Sequence, residues 1–280
     1  MTEPTYSNRS ISVVEAITKG YKLYMDNFLK FVKASWTTAL FFAVATSCLS
    51  VAYVYQSPVL SVVGSVAYYL LLIAMMALCF GMLKEHLSTG EIAKPKSFFG
   101  RFNLMMYHRT FVAMILTTIL LFLLGGIVGL FVYLMNPLGL LIATIFSGII
   151  GTLGIVLLIP FMFSFFHYIL DDRSTLSSYF KNYRGGLHYY GRLFGIILLT
   201  SIIIGIATLI LQLPELILAA ANVSSQMGVM AGDPAGMPES MMWWGPVVFA
   251  FSGFIQAYLH LFILFPIYVL LFQSKTQIAS

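Results

Sequence analysis

TFVAMILTTILLFLLGGIVGLFVYLM, residues 110–135, contains no charged side chain and no proline. As a helix rising 1.5 Å per residue it reaches about 39 Å, more than the ~30 Å hydrocarbon core of a bilayer. Arg109 precedes it and Asn136-Pro137 follows it, so it reads as a spanning helix entered from a basic end and left through a tight tip.

Working outward, residues 34–55, 58–83, 137–170, 193–221 and 242–272 form further apolar runs, each at or above the ~20 residues needed to cross a membrane. The expectation is an all-α membrane protein with six transmembrane helices. Composition agrees, since 60% of residues are hydrophobic and 9% charged, whereas roughly a quarter are charged in soluble domains.

The fifteen lysines and arginines fall before residue 34, between 84 and 109, between 170 and 192, and at Lys275. Loops rich in Lys and Arg stay on the cytoplasmic side of an inserted chain. The basic opening segment, with Arg9, Lys19, Lys22, Lys30 and Lys33, has no short apolar core of a cleavable signal peptide. Both termini are therefore expected in the cytoplasm. The basic balance points to anionic lipid headgroups rather than nucleic acid. Cys48 and Cys79 lie inside spans and read as small apolar packing residues, with no disulfide framework or zinc spacing.

The segments that enter the odd-numbered spans share a pattern. Lys22, Phe28 and Lys30 match Arg101, Tyr107 and Arg109, and again Arg184, Tyr190 and Arg192. Lys19 and Tyr21 match Lys181 and Tyr183 in the first and third copies. Three repeat units follow, at about 11–85, 92–172 and 174–275, each an interfacial amphipathic helix plus a helical hairpin, in one membrane domain covering 1–280. Pro160 stands before His167 as Pro266 stands before Gln273, while the second span has Ala77 in that place.

Two outer tips are minimal, at Gln56-Ser57 and Asn136, where Pro58 and Pro137 open the returning helices. The third, residues 222–241, contains Gly228, Gly232, Pro234, Gly236 and Pro238 and reads as a loop too rich in breakers for a continuous helix. It ends at Trp243-Trp244, which suit the outer interface. Its methionines, Met227, Met230, Met237 and Met241 with the adjacent Met242, lack the histidine or cysteine neighbours of a copper site. Asn222-Val223-Ser224 formally fits a glycosylation acceptor.

Ionisable groups inside a bilayer are expensive and mark function by default. Ser252, Gln256 and His260 share one face of the sixth span by their four-residue spacing. They form the candidate intramembrane polar site. Glu215 falls near the outer headgroups. Gly125 and Gly129, with Gly148, Gly151 and Gly154, are expected to let spans three and four approach closely. No metal-ligand, nucleophile-elbow or phosphate-loop pattern is present, so the chain is expected to be non-enzymatic and to hold no cofactor. Tyr21, Tyr24, Phe28 and Phe31 alternate with Lys19, Lys22, Lys30 and Lys33 at helical spacing, as in a helix lying at the headgroup boundary. The candidate anionic-lipid contacts are Lys22, Lys30, Arg101, Arg109, Arg184 and Arg192.

An entry helix ending at Asn27-Phe28 resembles the membrane domain attached to some bacterial glycerophosphodiester phosphodiesterases, and related stand-alone six-span families. In them an amphipathic helix ends near an asparagine-phenylalanine pair and enters the first span. The resemblance implies a bacterial inner membrane. These residues hold no counterpart of the soluble phosphodiesterase domain, so none of its activity carries over. The mitochondrial carriers, also built of three two-helix repeats, are set aside because their Pro-x-Asp/Glu-x-x-Lys/Arg signature is missing after the odd spans.

The leading expectation is a lipid- or partner-binding membrane module. The alternative is a small permease for an apolar or lipid-like substrate, marked by a hydrated cavity reaching His260, whereas glycine contacts sealing the bundle would favour the module. A lipid-acting enzyme would require His167, Asp171, Asp172 and His188 to converge.

Overall fold

The computed structural model describes residues 11–54, 57–92, 104–135, 139–230, 232 and 239–276. Every regular element among them is helical. Helix α1 (Val13–Asp26) starts at Ser12, whose hydroxyl accepts the Glu15 amide at 3.2 Å, a capped N-terminus with an acid in its first turn. It ends at Asn27 (φ −112°, ψ 7°), whose side-chain amide donates to the Leu23 carbonyl at 3.0 Å. Helix α2 (Phe28–Val54) begins at the next residue. The single interfacial helix expected through Lys33 is therefore two helices broken at Asn27. The side chain that satisfies the last turn of α1 makes the break.

Helix α3 (Pro58–Thr89) is capped by Ser57, opens on Pro58 and closes at Gly90 with φ 77°, the left-handed position glycine fills without penalty. Then come α4 (Leu104–Met135), α5 (Leu140–Leu158), α6 (Phe161–Leu170), α7 (Leu176–Lys181) and α8 (Tyr183–His188). The chain continues through α9 (Tyr190–Leu211), α10 (Leu213–Met230), α11 (Glu239–Leu259) and α12 (Leu264–Thr276). Among the described residues six stretches are long and apolar enough to cross a membrane: Phe28–Ala52, Pro58–Thr89, Leu104–Met135, Leu141–Leu170, Tyr190–Leu211 and Trp243–Phe272.

The fourth and sixth stretches are broken next to proline. Pro160 has no N–H to donate and its ring crowds the carbonyl of Val156. The chain tightens there, with Ile159 N–H bonded to Val156 at 3.3 Å and Met162 N–H to Ile159 at 3.0 Å. Pro266 has the same effect on residues 260–263, where Leu261 N–H reaches Tyr258 at 3.1 Å and Phe262 N–H reaches Leu259 at 3.0 Å. Ala77 leaves α3 unbroken.

These breaks are where the entry helices dock. A Cβ placed on Gly20 of α1 would lie 2.5 Å from the Pro266 nitrogen and 2.8 Å from the Phe265 carbonyl carbon, so α1 crosses α12 backbone against backbone. The Tyr24 hydroxyl, one turn further on, donates to the Tyr258 carbonyl at 3.3 Å. In the same manner Gly186 of α8 abuts the Pro160 backbone, its carbonyl carbon 2.8 Å from where a Cβ would sit. Ala16, Gly20 and Tyr24 form the buried face of α1, while Lys19, Lys22 and Asp26 remain exposed.

The core lies around α1, α2, α3, α6, α11 and α12, with Phe31, Phe42, Phe80, Phe166 and Phe265 fully enclosed. Within the apolar windows, 61% of the sixth stretch is buried against 6% of the third. The α4–α5 hairpin thus leaves most of its apolar surface exposed.

Three sequence expectations need correction. Residues 222–241 are not one loop, because α10 continues to Met230 and α11 begins at Glu239. The breakers lie mainly between those helices, while Gly228 is carried inside α10 at the modest cost of an interior glycine. Pro234, Gly236, Pro238 and Met237 fall outside the described residues, as do Gln56, Asn136 and Pro137. The fifth span ends at Leu211, where Gln212 interrupts the helix two residues before Pro214, and Asn222 belongs to the separate helix α10. The glycine seam is also narrower than expected. Gly154 receives the Leu124 side chain and Gly151 meets Val128 at 3.7 Å, but Gly125, Gly129 and Gly148 have nothing within 4 Å of a would-be Cβ.

Candidate functional site

The basic residues divide into two sets. Lys30 turns inward, its ammonium donating to the Ile92 carbonyl at 3.0 Å just past the end of α3. Arg109 does more. Its guanidinium donates to the carbonyls of Tyr168 at 2.9 Å, Asp171 at 2.6 Å and Asp172 at 2.7 Å, capping the free carbonyl end of α6 where a cation is favoured. Arg192 is half-buried, its guanidinium 5.3 Å from the Tyr189 ring centre.

Lys22 and Arg184 are exposed. Neither makes an ion pair or side-chain hydrogen bond among the described residues. Lys19 is paired with Glu15 at 2.8 Å. Arg101 lies outside the described residues. The basic positions thus separate by role, Lys30 and Arg109 facing the protein while Lys22 and Arg184 are left exposed.

Three of the four groups named for a lipid-acting enzyme do meet. His167, Asp171 and Asp172 line one cavity of about 430 Å³ at the basic end. His167 Nδ1 lies 3.5 Å from an Asp171 carboxylate oxygen, and Asp172 is paired with Lys84 of α3. His188 does not line this cavity; its ring packs edge-on against Tyr189 at 5.4 Å.

No family model matches this chain. The curated proteins and the solved structures likewise contain no match. Function must therefore be read from the residues.

The polar stripe of the sixth span is present but uneven. Ser252 is 3% exposed, Gln256 is half-buried, and His260 is exposed at the break between α11 and α12, its ring 6.4 Å from Phe42. Glu215 belongs to a different helix, α10, yet in the fold its carboxyl lies beside the Ser252 hydroxyl, so the stripe acquires an acid at its head. Burial pushes that carboxyl above the usual carboxylate range, opposed by the neighbouring Ser252 hydroxyl. Nothing in the spacing signals this pairing, because the two residues belong to helices brought together only by the packing of α10 on α11.

Ser252 precedes Gly253, where an added Cβ would collide with the Thr46 side chain of α2, and Thr46 donates to the Phe249 carbonyl at 3.1 Å. The upper part of the stripe is therefore fixed by a close α2–α11 crossing. Its lower end sits where the helix is already open.

Proposed function

We propose that this chain is a non-enzymatic, multi-pass protein of a bacterial inner membrane, with both termini in the cytoplasm, that holds anionic lipid headgroups at the basic end of its helical bundle. The observation that carries this reading is the exposure of Lys22 and Arg184 without a protein partner among the described residues, while Lys30 and Arg109 are used up on backbone carbonyls. Cations with no counter-ion beside a bilayer surface attract its acidic lipids, each by about 1 kcal/mol.

Three repeated units underlie the arrangement. In support, α1 and α8 break at Asn27 and Tyr189 with similar backbone angles, each one residue before the matched Phe28 and Tyr190. Helix α4 passes the corresponding Met106 without a break. Gly20 on Pro266 and Gly186 on Pro160 repeat the docking, although the two glycines differ by one helical turn in the alignment. The expected likeness to phosphodiesterase membrane domains is of the same architectural kind.

Combined reversal of Lys22, Arg101 and Arg184 to Glu is expected to lower retention of phosphatidylglycerol by the chain taken from mixed-lipid nanodiscs by on the order of 100-fold, from about 1 kcal/mol for each of three sites. The loss should shrink as salt is raised, because exposed charges are screened. Unchanged association of a folded triple variant would overturn the proposal.

A second reading, a permease for an apolar or lipid-like substrate, is favoured by one observation, the Glu215 carboxyl at the head of the Ser252, Gln256 and His260 stripe. With Cys48 and Cys79 replaced by Ala, the Gln256→Cys variant should then react with a membrane-impermeant thiol reagent, and substrate should protect it. A Gln256→Cys variant inert to the reagent would leave the stripe as helix-to-helix glue.

A further inference from the structure

The cavity at the basic end lies where the second spans of all three proposed units meet. Leu87 comes from α3, His167 and Leu170 from α6, Phe272 from α12, and the turn after α6 contributes Asp171, Asp172 and Arg173. Cross-links between these elements hold the walls together. His86 Nδ1 and the Tyr268 hydroxyl are 2.9 Å apart, joining α3 to α12, and Lys84 pairs with Asp172, joining α3 to the turn. Deeper in the bundle, the rings of Phe80 and Phe166 pack 5.2 Å apart.

The charges of this basin are not interchangeable. Asp172 is spoken for: its hydrogen bond to Lys84 holds its carboxyl below the usual range, and the charges of Lys84 and Arg109 act in the same direction. Asp171 has no lysine or arginine side chain paired with its carboxylate among the described residues. One of its oxygens accepts the Arg173 backbone N–H at 3.0 Å and the other lies 3.5 Å from His167 Nδ1. The Arg173 guanidinium likewise has no acidic partner among them. An available carboxylate and an available guanidinium therefore flank one cavity two residues apart, with Leu87, Leu170 and Phe272 as its apolar wall.

The rim is also pre-shaped. Arg109 grips the carbonyls of Asp171 and Asp172, so the turn carrying both groups is held before any ligand arrives, which lowers the entropic cost of binding. A ligand complementary to this arrangement carries an ammonium and a phosphate on a short linker, with an apolar portion to lie against the leucines and the phenylalanine. We propose that the basin binds the headgroup of a zwitterionic aminophospholipid, its ammonium at Asp171 and its phosphate at Arg173. This goes beyond the anionic contacts at Lys22 and Arg184 and does not depend on them.

The test is native mass spectrometry of the full chain released from nanodiscs made with equal amounts of phosphatidylethanolamine and phosphatidylglycerol. One phosphatidylethanolamine should be retained per chain, and Asp171→Asn should reduce its retention by about tenfold, the loss of one charge-assisted contact. Arg173→Gln, at an exposed side chain, should do the same without disturbing the fold. It supplies the answer if Asp171→Asn does not fold. The Lys22, Arg101 and Arg184 charge-reversal variant should keep its phosphatidylethanolamine, which separates failure here from failure of the anionic reading. Wild-type retention in folded Asp171→Asn or Arg173→Gln would overturn the proposal, as would equal retention of both lipids. Binding of millimolar O-phosphoethanolamine by a wild-type chain that retains no phosphatidylethanolamine would assign the same chemistry to a soluble zwitterion and overturn the lipid.

Discussion

Gly20→Ala is expected to be among the most damaging single substitutions in this chain, although alanine is the better helix former. In an unobstructed helix the change would stabilise by roughly 0.5–1 kcal/mol, because glycine loses more backbone freedom on folding. Here the added methyl would stand 2.5 Å from the Pro266 nitrogen and 2.7 Å from its Cα, and these are backbone atoms with no rotamer to escape into. Overpacking a tight site costs about 1–3 kcal/mol, and a backbone neighbour places this one at about 3 kcal/mol or more. Separation of α1 from α12 would also strand the Tyr24 hydroxyl, which is buried and bonded to the Tyr258 carbonyl. The measurement is thermal stability in detergent by size-exclusion recovery. Gly125→Ala is the matched control, since nothing lies within 4 Å of its Cβ position. If Gly20→Ala melts with wild type, the α1–α12 crossing is not as described.

Loss of the Arg109 fork should be comparably severe. Arg109 makes three charge-assisted hydrogen bonds to the end of α6 and the following turn, and its guanidinium also sits 5.7 Å from the Tyr168 ring centre. Hydrogen bonds to charged groups contribute about 1.5–3 kcal/mol each, and they act here as a unit rather than additively. Arg109→Met is expected to cost about 2–3 kcal/mol, the loss of a part-buried charge-assisted fork whose carbonyls water can partly satisfy. Arg109→Lys separates geometry from charge. A single ammonium cannot reproduce a planar fork that reaches three carbonyls, so the lysine variant should recover about half of the loss at most. Wild-type stability in Arg109→Lys would reduce the role of this residue to a point charge near a helix end.

Much of this could be read in the sequence. Segregation of the basic residues and the lengths of the apolar runs located six long apolar helices, because bilayer thickness and the scarcity of charge inside it leave few alternatives. Pro160 and Pro266, matched in the sequence only by their positions, stand at the breaks of the fourth and sixth stretches, since a missing N–H acts locally whatever surrounds it. The extent of α10 was misjudged because Gly228 was counted as a breaker, whereas a lone glycine is tolerated within a run such as Leu216-Ile217-Leu218-Ala219-Ala220-Ala221.

Partnerships were harder to see. The spacing of Gly125 and Gly129 allowed a close helix contact but could not say which face of α4 would meet a neighbour, and that face met none among the described residues. Basic spacing placed Lys30 and Arg109 correctly at helix entrances, yet their direction depended on carbonyls about sixty residues away in sequence. The junction of Glu215 with Ser252 required α10 to fold beside α11, and side-chain periodicity within one helix carries no information on that.

The seat of Gly20 on Pro266 also dictates an order of assembly. The contact joins the first described helix to the last, so α1 precedes α12 in synthesis and, although it also packs on α9, lacks its backbone seat until α12 emerges. Until then its Ala16, Gly20 and Tyr24 face must be lodged elsewhere, on the membrane surface or on whatever attends the growing chain. Completion of the sixth stretch is thus the event that seats α1, and a chain interrupted before Pro266 leaves that helix without its backbone partner.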